Sequence, residues 1–487
     1  MGVPHHRAVL GRVLLAVALL MSIGGAMLPA FGAAASSAPV NFLVFLADDQ
    51  GEGDLGCYGH PVLKTPHIDR LAAEGMRFDR AFLTISSCSP SRSSILTGRY
   101  PHNTGAEDLH QPLPPDQKTV ARYLHGAGYH CMSVGKWHLG QDEQRHWDRV
   151  VECAGRDTAD LAVGLLRDRP RDKPFFFWVA SKDPHRPFDG DAIKRPHDPA
   201  EVVVPPYLPD HPLIRKELAQ YYDEITRLDE HVGLIRAELE KQGVLDRTFI
   251  VYLSDNGMPF PRAKTTLYDS GIHTPLIVRY PPLVKPGSRR AGLVSTIDIA
   301  PTMLELAGVK SDTVQGRSMK SMLTDPAAAG RSAIFAEANW HDYEKFTRAV
   351  RTERFLLIRN YYWDAPLWNS VDSINSVTWK GYLEVRAAGK LTNAQKFLFV
   401  EPRPFEELYD LRKDPHSLAN VGDAAPYREE LNQMRTLLDN WRVETNDVMP
   451  EKRRRDGWTR QGEPLPHNQP WYDRFIKAGG KSSFEKF

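Results

Sequence analysis

Residues 40–51, VNFLVFLADDQG, form a continuous apolar run that stops on two aspartates and a glycine. A run that is apolar at nearly every position reads as a strand buried on both faces, and such strands belong to sheets covered by helices. Four further stretches repeat the pattern: YHCMSVGKWHLG (129–140), PFFFWVASKDPH (174–185), RTFIVYLSDNG (247–257) and TPLIVRYPP (274–282). Four of the five apolar runs deliver polar residues at the downstream end. Helical patterns fall between them, in HIDRLAAEG (67–75), KTVARYLHGAG (118–128), LAQYYDEITRLDEHVGLIRAELEKQG (218–243) and STIDIAPTMLELAG (295–308). The alternation predicts an α/β fold, a large mostly parallel sheet sandwiched by helices, with the ligand site outside the carboxyl ends of the strands.

After about residue 330 the texture changes to shorter strand-like pieces, SAIFAEAN (332–339), RAVRTERFLLIRN (348–360) and FEELYDLRKDP (405–415), followed by the amphipathic helix YREELNQMRTLLDNWRVE (427–444). The second piece reads as a hairpin with a charged turn near residues 352–354. These features predict a catalytic domain over 36–330 and a smaller C-terminal α+β domain over 331–487 that contains an antiparallel sheet.

At the N-terminus, His5, His6, Arg7 and Arg12 flank or precede the apolar run VLLAVALLMSIGGAML (13–28), and small residues follow. This reads as a signal peptide over 1–35, cleaved near Ala33 to Ala35, with an uncleaved N-terminal tether as the alternative, which sends the chain to a periplasm or the extracellular space, or along a lysosome-like secretory route in a eukaryote. No later apolar stretch is long enough to span a membrane. A formal net charge of +1 on 487 residues argues against a nucleic-acid partner. The run EKRRRDGW (451–458) reads as a solvated surface segment. Four cysteines, Cys57, Cys88, Cys131 and Cys153, do not make a disulfide scaffold, and a Cys131–Cys153 bridge is left open by spacing alone.

The ionisable residues gather downstream of the apolar runs. Asp48, Asp49, Asp255 and Asn256 are hard oxygen ligands, a set that suits calcium or magnesium rather than zinc or copper. Singly, each string is an ordinary turn former. Lys136 and His138 (GKWHLG), His185 (KDPHRPF), Lys264 (PRAKTTLY), Arg92 and Arg99 add cations. In an extended segment Lys136 and His138 would point to the same side. Converging cations, a divalent-metal set and a thiol-bearing loop at Cys88 describe a pocket for a small, multiply oxygenated anion, sulfate or phosphate.

The stretch CSPSRSSILTGR (88–99) resembles the signature of the formylglycine-dependent sulfatases, C-x-P-x-R followed by T-G-R, with Cys88, Pro90, Arg92, Thr97, Gly98 and Arg99 in place. FLADDQG, TPHIDRLAAEGMRF, VGKWHLG, DPH, SDNG and ELYDLRKDPHSLANV keep the family order over nearly the whole chain. The resemblance implies an alkaline-phosphatase-like fold and a maturation enzyme that converts Cys88 to formylglycine. The hydrated aldehyde would offer one hydroxyl to attack sulfur and a second to expel sulfate. It further implies calcium on Asp48, Asp49, Asp255, Asn256 and residue 88, with Arg92 and Lys136 orienting the hydrate and His138 as base. His185 and Lys264 would face the substrate, and either is left open as the group serving the leaving group.

SSCSPSRSSILTG, DPHRPF, VVVPPYLPD, SDNGMPFPRAKTTLYDSG and LDNWRVETND resemble the sulfamidase branch, which implies N-sulfoglucosamine of heparan-type glycans as substrate. An O-sulfatase on another sulfated polysaccharide and a phosphonate or phosphodiester hydrolase are the alternatives. Lys264 departs from the branch, where animal members carry arginine, and a point charge is not equivalent to a planar fork. A homodimer is left open.

Overall fold

A computed structural model describes residues 39–363 and 366–451. The leader, and all of the 451–458 run but its first residue, lie outside the described residues. In chain order the strands are β1 (Asn41–Ala47), β2 (Met76–Phe82), β3 (His130–Gly135), β4 (Arg149–Val151), β5 (Phe175–Ala180), β6 (Thr248–Ser254), β7 (His273–Arg279), β8 (Ser288–Arg290) and β9 (Val294–Ser295). They build one sheet in the order β4-β3-β5-β1-β6-β7-β2-β8, with β9 beside β2. Every pairing is parallel except those of β7 with β6 and β2. The antiparallel strand is TPLIVRYPP, the one apolar run whose downstream end carries no functional cluster.

Both faces of the sheet are covered, which is why β1 is apolar from Phe42 to Ala47. Phe42, Val44 and Leu46 pack with Val120, Ala121 and Leu124 of helix Val120–Gly126 and with Ile299 and Met303 of helix Ile299–Ala307. Leu43, Phe45 and Ala47 face the other way, onto Ile68 and Leu71 of helix Pro66–Glu74, Leu165 of helix Thr158–Asp168, and Leu228, Val232 and Ile235 of the 30-residue helix Pro212–Lys241. All four cysteines are free; Cys131 packs on the first face and Cys153 against the second, so the bridge between them does not form.

A separate antiparallel sheet follows, β10 (Ala333–Trp340), β11 (Glu344–Thr352), β12 (Phe355–Asn360) and β13 (Glu406–Asp410), in sequence order. The β11–β12 hairpin turns at the charged residues 353 and 354 as the sequence predicts. Between β12 and β13 the chain inserts helices Val371–Ile374 and Val377–Ala387, which the strand-like reading of this half did not contain. Their polar residues give no clean period. Helix Arg428–Glu444 packs Leu431, Met434, Leu438 and Trp441 on the sheet.

Candidate active site

The signature stretch, expected as a loop, is a helix, Cys88–Thr97, whose ten residues are all buried. Amphipathic periodicity is absent because neither face meets water, so the sequence pattern carried no helical signal. The helix begins on Cys88 after an extended Ser87 and ends on Gly98 at φ 65°, where a Cβ would meet Val314, Ala300 and the carbonyl of Ile297 at 3.2–3.3 Å.

β1 and β6 lie side by side with Ala47 opposite Ser254, so their next residues emerge together. Asp49 N–H donates to Asp255 Oδ1 (3.2 Å), and Asn256 Nδ2 donates to Asp49 Oδ1 (2.9 Å) and Asp255 Oδ1 (2.8 Å). One oxygen each of Asp48, Asp49 and Asp255 falls within 4.8 Å of the others, and all three side chains are fully buried. Asn256 Oδ1 is buried without a hydrogen-bond partner. Cys88 Sγ joins this group, 3.6 Å from Asp48 Oδ1 and 3.3 Å from Asn256 Nδ2.

The cations are equally specific in their partners. Arg92, one turn along from Cys88, donates from Nε to Asp255 Oδ2 (2.8 Å) and from Nη1 to the Lys136 carbonyl (2.6 Å), while its Nη2 lies 3.6 Å from Asp48. Lys136 Nζ donates to Asp48 Oδ2 (2.6 Å) and Lys264 Nζ to Asp49 Oδ2 (2.7 Å). His185 Nε2 stands 3.7 Å from Asp49 Oδ2, and its Nδ1 is bonded to the Arg186 carbonyl. Lys136 and His138 do not share an extended segment, since Gly135 sits at φ 96° and His138 at φ 56°. Lys136 turns to Asp48, and His138 Nε2 pairs with His110 Nδ1 at 2.6 Å.

Burial dominates the electrostatics. It raises the carboxyls of Asp49 and Asp255 despite Lys264 and Arg92, and the neighbouring Asp48 adds to the rise. Asp48 is held well below the carboxylate range because Lys136, His185, Arg92 and Lys264 together outweigh its own burial. Burial pushes the Cys88 thiol up to about 12 against Lys136 and Lys264, so the sulfur stays protonated and is no thiolate nucleophile. His138 is depressed to about 2, by burial and then by Lys136 and Arg92.

All ten sequence-predicted site residues, Asp48, Asp49, Cys88, Arg92, Lys136, His138, His185, Asp255, Asn256 and Lys264, therefore come to one place. Arg99 does not join this hydrogen-bond network; its Nη1 reaches Gln117 Oε1 at 3.3 Å. The structure adds His110, Asp372, whose Oδ2 lies 3.1 Å from Lys264 Nζ, and His341, whose Nδ1 pairs with Ser87 Oγ at 2.8 Å. Each is a lone polar residue without a spacing pattern, and two come from the C-terminal half, so only the tertiary fold identifies them.

A covered, mostly parallel sheet with a buried oxygen-ligand set and converging cations at its strand ends defines a hydrolase acting on a small oxyanion group. The Sulfatase family model matches residues 40–309, and the C-terminal model of N-sulphoglucosamine sulphohydrolase matches 262–377. Human N-sulphoglucosamine sulphohydrolase is 32% identical over 460 residues, covering 84% of this chain and 91% of that protein. An ulvan-active sulfatase of Formosa agariphila is 28% identical over 84% of this chain and 75% of its own length. A protein solved in complex with its substrate D-glucosamine-2-N,6-O-disulfate superposes with a TM-score of 0.67 at 23% identity, over 85% of this chain and all of that one. The chain belongs to the sulfatase family and has its alkaline-phosphatase-like fold. It is a sulfuric ester or sulfamate hydrolase, of a family that uses formylglycine and a divalent metal.

Proposed function

We propose that the chain is an exported sulfatase that removes sulfate from sulfated glycans, with N-sulfoglucosamine of heparan-type chains as its substrate. The observation that carries the chemistry is the convergence of three buried carboxylates and Asn256 on Cys88, at the end of a helix that also supplies Arg92. The choice of N-sulfate rests on the human relative and on the matching C-terminal family model.

The site fits a hard cation. Without one, burial and mutual repulsion raise Asp49 and Asp255 above the ordinary carboxylate range and Asn256 Oδ1 has no hydrogen-bond partner, and an oxygen donor set of this kind suits calcium. Asp48, Asp49, Asp255, Asn256 and residue 88 would hold it; when bound, it supplies positive charge against the sulfate oxygens. Residue 88 fits formylglycine, because a thiol kept protonated at about 12 has no nucleophilic use here. Formylglycine, once formed by the maturation enzyme, supplies a hydrate with two hydroxyls, one for sulfur and one for the release of sulfate.

The remaining side chains divide the work. Arg92 fixes Asp255 and the Lys136 backbone, so the ligand set and the cation move as one unit. Lys136 and Lys264 present ammonium groups to sulfate. Lys264 is already shared between Asp49 and Asp372, which makes it a fixed charge, whereas His185 has only Nδ1 engaged with a hydrogen-bond acceptor. His185 Nε2, 3.7 Å from Asp49 Oδ2, is therefore the atom that faces the leaving nitrogen or oxygen; because Nδ1–H is held by the Arg186 carbonyl, it gives up a proton there only from the imidazolium form. His138, neutral in the free protein, takes the proton at Nδ1, and sulfate arriving at Lys136 offsets one of the charges that depress it. These groups all belong to the catalytic domain expected over 36–330, and the C-terminal half contributes Asp372 beside Lys264 and His341 beside Ser87.

Digestion of defined oligosaccharides carrying N-sulfated or O-sulfated glucosamine, with product mapping, tests the reading. Release of N-sulfate is expected. Release of O-sulfate alone overturns the sulfamidase assignment and keeps the sulfatase one, and faster turnover of a matched phosphonate overturns both.

A further inference from the structure

The geometry points to His110 as a positioning residue that fixes His138 in the one tautomer able to act as a base, an assignment that rests on the role proposed above for His138. His110 Nδ1 and His138 Nε2 are 2.6 Å apart, with ring centroids at 4.7 Å. Burial and the Lys136 ammonium depress both imidazoles, so the pair is neutral and a single proton lies between the two nitrogens.

Which ring owns that proton is decided at the far side of His138. Its Nδ1 is buried and has no hydrogen-bond partner. Were the shared proton on His110 Nδ1, neutral His138 would carry its own hydrogen on Nδ1, a buried donor with no acceptor, which is the costlier of the two arrangements. With the proton on His138 Nε2, Nδ1 keeps a lone pair. His110 then holds its hydrogen on Nε2, and because this residue is exposed and its ring only partly buried, it keeps access to solvent and water satisfies it. When His138 Nδ1 accepts a proton, the Nε2–H bond to His110 also stabilises the cation that forms.

The backbone holds the pair in register. His110 and His138 both sit in the left-handed region, at φ 64° and 56°, a conformation uncommon outside glycine although histidine tolerates it better than most side chains. His110 N–H donates to Ser89 Oγ at 2.8 Å, one residue after Cys88, and Leu109 N–H donates to the Trp340 carbonyl at 3.0 Å. His110 is thus tied to the signature helix on one side and to the C-terminal sheet on the other.

Two substitutions that tolerate positive φ separate side-chain function from backbone strain. His110→Gly removes the acceptor; His110→Asn replaces it with an amide oxygen at the position of Nδ1. Nitrogen-15 spectra of the histidine-labelled full chain, carried in the Cys88→Ser background and assigned with His138→Gln, read the tautomer without any turnover. Expected are an unprotonated Nδ1 and a protonated Nε2 on His138 in the parent and in His110→Asn, and a mixture of tautomers in His110→Gly. In otherwise wild-type enzyme, His110→Gly is expected to lower kcat about 10²-fold with KM little changed, and His110→Asn to recover most of it. A protonated Nδ1 in the parent overturns the assignment, as does an unchanged kcat in His110→Gly. An inactive wild type with the expected spectra overturns the proposed function and leaves the positioning of His138 standing.

Discussion

Lys264 Nζ and Asp372 Oδ2 form a 3.1 Å ion pair that joins the loop after β6 to helix Val371–Ile374 of the C-terminal half. Lys264 also reaches Asp49 at 2.7 Å, so one ammonium stands between a carboxylate of the proposed metal set and Asp372 of the C-terminal half. Lys264 is 2% exposed, and water does little to screen the pair. Lys264→Ala is expected to lower kcat/KM by about 10²–10³-fold on every sulfated substrate, since it removes a cation aimed at developing negative charge. It also leaves Asp49 and Asp372 facing each other, and urea unfolding is expected to register a loss of about 3–5 kcal/mol. Asp372→Asn, which retains an acceptor for Lys264, is expected to cost far less on both measures. Equal losses for the two variants would show that the pair acts as a unit rather than through the lysine.

The Cys88 thiol predicts its own disappearance. A sulfur held at about 12 among Lys136, Lys264 and three carboxylates contributes nothing as a nucleophile. The tryptic peptide over residues 81–92, from protein made in its native host, is expected to carry an aldehyde or its hydrate at position 88. Cys88→Ser is expected to fold, bind metal and turn over nothing. Mass spectra with an intact thiol in every molecule refute the formylglycine reading.

Removal of the metal should be visible in stability as well as activity. Asp48, Asp49 and Asp255 lie fully buried within reach of one another, and burial makes uncompensated charge costly there. Chelation is expected to abolish sulfate release and lower Tm, and calcium added at a hundredfold its Kd to restore about 2.7 kcal/mol. Asp255→Asn, which removes one charge and one partner of Arg92, is expected to abolish the calcium-dependent shift in Tm. A Tm indifferent to chelation and add-back in the wild type contradicts the calcium assignment.

The parts legible in the sequence are those with a local physical signature. β1, β3, β5 and β6 announce themselves because strands covered on both faces are apolar at most positions, and their downstream aspartates, Lys136 and Asn256 mark the open end of the sheet. The helix Cys88–Thr97 was not legible, since total burial removes the polar face that creates a helical period. The same holds for partners assembled from afar. Asp372 lies 108 residues from Lys264 along the chain, and His341 lies 254 residues from Ser87. His110 and His138 are 28 apart, yet what makes them a pair is two left-handed residues, for which a histidine codon gives no hint.

Glu143 supplies a pH test outside the chemical site. Thr119, which caps helix Val120–Gly126 by accepting from Arg122 N–H, donates its hydroxyl to Glu143 Oε1 at 2.7 Å, and Trp147 Nε1 donates to the same oxygen at 3.1 Å. Burial raises the carboxyl to about 7, the two donors opposing the rise only in part. The unfolded chain ionises near the ordinary glutamate value of about 4.3. The folded state therefore binds the proton more tightly, and between the two values stability must fall as pH rises. Glu143's contribution is present in full below about pH 4, declines through the interval and levels off above pH 7, a total on the order of 2–4 kcal/mol. Glu143→Gln keeps the oxygen that accepts from Thr119 and Trp147 and cannot ionise. Urea midpoints at pH 5, 6, 7 and 8 are expected to show the variant gaining on the wild type step by step, and standing above it at pH 8. Parallel profiles across that range would mean that Glu143 ionises in the folded protein as it does in the unfolded one.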